Sequence, residues 1–240
     1  VYYDGRETSS YSGSGTTVND ISPNTNNGTL NGGVGFDSTY KAFTFDGSND
    51  SITATYPSST GDNTFSMSMW VKRDSNSGEM CPFFLGDAAT GEGIGMDIKP
   101  NGQVWWFIYG GKNFLWSGRT YEWFPVGTWT HVTVSHTAGT DFINLNKVWI
   151  NGVEVTDEAV FGGNANDLSL DENDTLTLGA RADPTNYLDG SIANFRLYSK
   201  VLSTGQVQEL YDYQKDYFFG SKSQVTLYKG HLGVGVTEPS

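Results

Sequence analysis

Alternation of apolar and polar residues, not helical spacing, dominates this 240-residue chain. From Thr64 to Val71 it is strict and places Phe65, Met67, Met69 and Val71 on one strand face, the face expected to be core. Ala42 to Phe45 leads into Asp46-Gly47, and Ser51 to Tyr56 stops at Pro57. Trp129 to His136 and Thr175 to Arg181 supply two more strands. Asn101-Gly102 and Asn151-Gly152 each separate two apolar runs, and both residue types accept φ > 0, so two-residue type I′ hairpin turns are predicted there. Residues 8 to 35 are nearly all Ser, Thr, Gly and Asn, which reads as loops between short edge strands. Together these signals predict an all-β chain of about a dozen strands in two packed antiparallel sheets.

The pattern changes near the C-terminus. Ile192, Asn194 and Arg196 alternate with Ala193, Phe195 and Leu197 in a final strand. Ser203 and Gln206 then form a capping box, and Leu202 with Val207 a hydrophobic staple, which predicts one short helix near 203 to 213. After Tyr213 the chain returns to extended, Gly-punctuated sequence. The expected division is a domain over 1–215 and an extended appendage or stem over 216–240.

Thirty Gly and 14% aromatic residues fit short strands joined by tight turns. Fourteen basic against 27 acidic residues give a net charge of −13, which repels phosphate backbones and anionic membranes. Nucleic acid is excluded as an expected partner. Cys81 is the single cysteine, so no intramolecular disulfide forms, and its setting between Met80 and Pro82-Phe83-Phe84 reads as an inert core thiol. No apolar run reaches the ~18 residues of a membrane span, so no membrane insertion is expected. Val1 to Gly5 lacks a signal-peptide pattern, and numbering from Val1 reads as a fragment of a longer chain.

Four blocks carry a family resemblance over residues 1 to about 213: Ser12 to Leu30, Phe45 to Ile52, the pair Trp129 to Val132 and Val148 to Gly152, and the strand-to-helix element from Gly190. In this order they resemble the laminin-G-like, concanavalin-A-like jelly-roll family, which implies a two-sheet jelly-roll sandwich and a role in binding glycans or proteins. The tail from Leu232 to Ser240 is similar to Leu-Gly-Ile-Gly-Thr-Thr-x-Pro-Ser segments of phage tail fibres and large-virus surface proteins. That likeness implies a place on a virion.

Jelly-roll glycanases carry their two carboxylates on one strand as Glu-x-Asp-x-x-Glu or Glu-x-Asp-x-Glu, and neither pattern occurs in this chain. Asp171-Glu172-Asn173-Asp174 is the nearest acidic cluster and reads as a solvated turn. His131 and His136 lie five residues apart and so point to opposite faces of one strand. Asp20, Ser22, Asn24 and Asn26 present oxygen at every second position, the chemistry of a loop for structural Ca²⁺; the alternative is Asx-turn capping by the same side chains. The aspartate that many relatives carry before the closing strand is Ala193 here. The metal candidates are Asp20, Asn24 and Asn26.

Binding chemistry is concentrated in aromatics between residues 104 and 124. Alternation sets Val104, Trp106 and Ile108 against Trp105, Phe107 and Tyr109, so both faces cannot serve the core equally. Tyr109, Trp116, Tyr121 and Trp123 are the candidates for ligand binding, the last three because they are near strand ends where sandwich loops gather. The resulting expectation is a non-enzymatic recognition module at an extracellular or virion surface, binding a glycan or host surface receptor. Neighbouring virion proteins and a homo-oligomer built through the C-terminal stem are the other expected partners. A structural virion subunit is the alternative, and an extracellular glycan hydrolase ranks third.

Overall fold

A computed structural model describes residues 1–56, 64–87, 92–108, 112–116, 123–138, 146–155, 160–161, 168, 170, 174–181, 183, 185–220, 225–228 and 231–234. The first sheet runs in the order β14 (Val153–Glu154), β13 (Asn146–Ile150), β12 (Thr130–His136), β7 (Phe65–Arg73), β17 (Asp189–Tyr198), β5 (Ala42–Asp46) and β4 (Gly35–Asp37). β1 (Tyr2–Tyr3) also pairs with β17. The second sheet runs β15 (Val160–Phe161), β11 (Lys112–Trp116), β10 (Val104–Ile108), β9 (Glu92–Ile98), β8 (Met80–Asp87), β16 (Thr175–Leu178), β6 (Ser51–Thr55), β3 (Gly28–Asn31) and β2 (Thr17–Val18). Every pairing is antiparallel, which makes the chain a two-sheet jelly-roll sandwich as the alternation predicts. A separate hairpin, β18 (Val225–Tyr228) with β19 (His231–Val234), follows.

The core fills the space between the sheets. Phe65, Met67, Met69 and Val71 meet Ile192 and Phe195 of β17 and Met96 and Leu176 of the opposing sheet in one buried cluster. The other face of β7 is buried too, because α1 (Thr204–Phe219) lies across it. Trp70 stacks on Phe218 with ring centroids 4.2 Å apart and donates from Nε1 to Gln214 Oε1 at 2.7 Å.

Both devices predicted to start this helix are present. Ser203 Oγ accepts from Gln206 N, and Gln206 Oε1 accepts from Ser203 N at 3.0 Å. Leu202 and Val207 are buried together against Trp149. The helix continues past 213 to Phe219, however, so the expected boundary at 216 falls inside it. Phe218 explains the extension: it is buried between Trp70 and Trp129, and that packing holds the last turn in place.

Turn chemistry was legible at one Asn-Gly and not at the other. Asn151 (φ 51°) and Gly152 (φ 80°) both take positive φ between β13 and β14, as type I′ requires. Between β9 and β10 only Gly102 does (φ 82°), and Gly102 N donates to Lys99 O at 2.8 Å. Pro100 and Asn101 are therefore the central residues of this turn. Proline's fixed negative φ suits the first of them and shifts the turn one residue upstream of the predicted one.

Candidate functional site

The outer face of the second sheet carries a continuous row of paired residues. Thr29 lies opposite Thr53, Thr53 opposite Thr177, Thr177 opposite Phe84, Phe84 opposite Gly95, and Gly95 opposite Phe107. Cross-strand partners share a face, so one half of the row is hydroxyl and the other aromatic. Gly95 is required where the two rings converge: a Cβ there would lie 2.7 Å from Phe107 and 2.9 Å from Phe84.

The segment between β16 and β17 folds over the aromatic half and is pinned to the sheet. Asn186 O accepts from Cys81 N at 2.7 Å, Thr185 O from Arg181 N at 3.1 Å, and Gly179 O from Leu188 N at 2.8 Å. Arg181 places its guanidinium 4.6 Å from the Phe107 ring centroid and pairs with Asp97 through Nε and Nη2. Asn186 Nδ2 donates to the same carboxylate at 3.3 Å. Asp97 is fully buried, and burial pushes its carboxyl above the ordinary value against the opposing pull of Arg181. The buried Cys81 thiol is pushed well up for the same reason, in keeping with an inert core thiol.

Beside this clamp a groove of 400 Å³ crosses β3, β6, β16 and β8. Its walls offer the hydroxyls of Ser51, Thr53, Thr175 and Thr177, the amide of Asn31, the Asp87 carboxylate, the Arg181 guanidinium and the Tyr187 ring. Asn31 Nδ2 donates to Thr53 Oγ1 at 3.0 Å, which fixes two of these groups relative to each other. Four strands at ~4.8 Å spacing give the groove a width of about 14 Å. Such a surface can exchange many hydrogen bonds with a polyhydroxylated ligand while an aromatic ring covers one apolar face.

None of the residues singled out from sequence is among the described lining residues of this groove. Val104 and Trp106 are in the main core and Phe107 is in the outer cluster with Phe84 and Cys81, so alternation sorted the faces of β10 correctly. Trp105, half-buried, has Lys99 Nζ 3.4 Å above its ring. Trp123 is half-buried against the main core. Trp116 belongs to β11, opposite Val104 in register; Tyr109 and Tyr121 lie outside the described residues. The groove residues were not singled out because Thr, Ser and Asn are spread along the whole chain, and only strand pairing shows which of them are neighbours.

The 20–26 loop is tightly knit. Asp20 Oδ1 accepts from Tyr2 N (2.8 Å) and Ser22 N (2.9 Å), and Oδ2 from Ser22 Oγ and Asn26 N (both 2.9 Å). These donors hold the carboxyl below its ordinary value although burial acts the other way. Four donors fill the roughly four lone-pair sites of a carboxylate. In this arrangement Asp20 serves as an Asx-type brace, and a cation would require Ser22 and Asn26 to release it. Asn24 is exposed, and Asn26 Nδ2 donates to Thr55 O at 3.3 Å. Among the described residues no cluster of three or more His, Cys, Asp or Glu is placed to hold a metal.

The two histidines part as predicted. His136 faces inward, with Nδ1 2.9 Å from Asn146 Oδ1, while His131 faces outward under α1 with Nε2 2.9 Å from Ser68 Oγ.

Two antiparallel sheets closed by one capped helix are the architecture of a concanavalin A-like jelly roll. A laminin-G-type family model of the concanavalin A-like lectin/glucanases superfamily matches residues 46–208, and the chain belongs to that superfamily. No curated protein matches the chain in sequence. Among solved structures it is similar to the botulinum neurotoxin serotype D binding domain, with a TM-score of 0.65 and 18% identity over 97% of this chain and 54% of that one. The serotype D ligand binding domain in complex with N-acetylneuraminic acid gives 0.61 and 19%, over 90% and 51%. Domain 4 of AbnA, an extracellular arabinanase from Geobacillus stearothermophilus, in complex with arabinotriose, gives 0.62 and 22%, over 88% and 96%. The chain thus spans about half the length of the toxin structures and nearly all of the arabinanase domain. Among the described residues no helix is long and apolar enough to cross a membrane.

Proposed function

We propose that this chain is a non-enzymatic recognition module that binds glycan in the groove across β3, β6, β16 and β8. The observation that carries the reading is the groove itself: hydroxyl, amide, carboxylate and guanidinium groups converge beside one tyrosine on a rigid sheet. Rigidity matters because ligand groups then bind without a large ordering cost. Glycoside hydrolysis normally needs two carboxyl groups flanking the scissile bond, and Asp87 is the one carboxylate among the described lining residues. The superfamily, and similar domains solved with N-acetylneuraminic acid and arabinotriose, support the reading.

We place the module on the outside of a virus or phage particle, as an attachment or decoration element, on the strength of the Leu232 to Ser240 likeness alone. A structural subunit held by virion neighbours is a second reading, favoured by the aromatics that α1 exposes: Tyr213 at 81%, Phe219 at 44% and Tyr217 at 38%.

A glycan array probed with the purified chain tests the first reading. Tyr187→Ala and Thr53→Ala should each reduce binding about 5- to 150-fold, equivalent to ~1–3 kcal/mol for a contact anchor, with melting temperature held. Ala substitutions at Tyr109, Trp116, Tyr121 and Trp123 in the same assay test the aromatic set, with Trp123→Ala expected to cost stability. An array without binding would overturn the glycan reading, and release of reducing sugar would turn it toward hydrolysis. Co-purification with a particle lattice would favour the structural subunit.

A further inference from the structure

A second cavity, of 760 Å³, lies between β1, the 21–26 loop and the end of β17 and shares no described lining residue with the groove. Its walls include Tyr2, Tyr56 and Tyr198 together with Arg196 and Lys200. No Asp or Glu is among its described lining residues, in a chain whose net charge is −13.

The Arg196 guanidinium is fixed before any ligand arrives. Nε donates to Asn194 Oδ1 at 2.9 Å, Nη2 donates to Tyr2 Oη at 3.0 Å, and the group stacks 4.3 Å from the Tyr2 ring centroid. Asn194 is itself held at φ 50° in a bulge where the pairing of β17 with β7 slips between Ala193 and Arg196. Bulges re-aim side chains, and asparagine readily takes the positive φ that this one requires.

Asp4 and Asp20, the carboxylates beside Tyr2 among the described residues, are already committed. Asp4 is nearly buried and takes Arg6 in a two-pronged pair, with Tyr2 Oη (2.6 Å) and Asn194 Nδ2 (2.7 Å) also donating to it. Asp20 is filled by its four loop donors. Among the described residues neither Arg196 nor Lys200 pairs with a carboxylate. Two cations without a carboxylate partner beside three tyrosines are suited to a ring-shaped anion: the guanidinium and ammonium hold its carboxylate, and the tyrosines cover its apolar face.

We infer that this cleft binds a sugar acid, a site separate from the sheet groove and independent of it. Titration calorimetry of the 240-residue chain with sodium glucuronate, against glucose as the uncharged analogue, tests it. Glucuronate should bind at least 10-fold more tightly than glucose and should weaken as NaCl rises. Lys200→Gln, at an exposed position, should reduce affinity at least 5-fold with an unchanged melting curve, and Arg196→Lys should also reduce affinity through loss of the guanidinium, with some loss of stability because its bonds to Asn194 and Tyr2 go with it. Tyr187→Ala in the groove should leave glucuronate binding intact, which separates failure here from failure of the groove. Equal binding of glucose and glucuronate, no binding of glucuronate, or no effect of Lys200→Gln would overturn the inference.

Discussion

His131 makes the fold acid-sensitive in a way that can be isolated. The ring is 1% exposed on the outer face of β12, 5.1 Å from Trp70 and 5.9 Å from Tyr211 by ring centroids, with α1 above it. Burial, helped by the positive charge of Arg196, pushes its pKa from 6.5 down to about 3. A base with a depressed folded-state pKa contributes stability that is whole above the unfolded value and is lost as pH falls toward the folded one. The window is therefore pH 6.5 to about 3. At pH 4.5 the unfolded imidazole is almost fully protonated and the folded one is not, so on the order of 2–3 kcal/mol should be gone, at ~1.4 kcal/mol per pH unit. Urea titrations at pH 7.5, 6.5, 5.5 and 4.5, at fixed ionic strength, read this directly. His131→Gln supplies the reference, because it keeps a polar group near Ser68 but does not titrate. Asp4 and Asp20, both held below their ordinary values, lose stability at lower pH in both proteins and cancel in the difference. Parallel curves for wild type and His131→Gln between pH 7.5 and 4.5 would refute the reasoning, since they would mean that the imidazole gains its proton without opening the helix-sheet interface.

Ser203→Ala should cost about 1 kcal/mol by removing the observed N-cap, and Leu202→Ala on the order of 2–5 kcal/mol by leaving a hole against Trp149 and Val207, both by denaturant titration. Gly190→Ala should lower the melting temperature sharply, because the new Cβ would sit 2.1 Å from the backbone oxygen of Lys72, a group held in the sheet. Structural calcium at Asp20, Asn24 and Asn26 remains a proposal. Because Ca²⁺ would have to displace Ser22 and Asn26 from Asp20, a melting temperature raised by millimolar Ca²⁺ and lowered by excess chelator would establish the site, and identical curves would remove all three residues from it.

Periodicity and short-range chemistry determined much of this protein. The alternation at Phe65, Met67, Met69 and Val71 required a strand with one core face, and Ser203 with Gln206 required a helix start, because those signals act between residues a few positions apart. The end of the helix was less plain. Val207, Leu210, Tyr211, Gln214 and Phe218 do keep helical spacing, but Gln214 is polar, and only its bond to Trp70 shows why it is buried. The Asn101-Gly102 turn was misread because Pro100, one residue earlier, decides where the chain bends. The aromatics of 104 to 124 were visible as a set, while burial assigned Val104 and Trp106 to the core and Phe107 to the outer cluster. Tertiary structure alone brought Asn31, Thr53, Asp87, Thr177 and Arg181 to one groove and Tyr2, Arg196 and Lys200 to one cleft. Those residues are dispersed along the chain and meet only because β3 pairs with β6, β6 with β16, β16 with β8, and β1 with β17. Sheet pairing is a non-local choice, set by which faces can be buried together, and no local pattern records it.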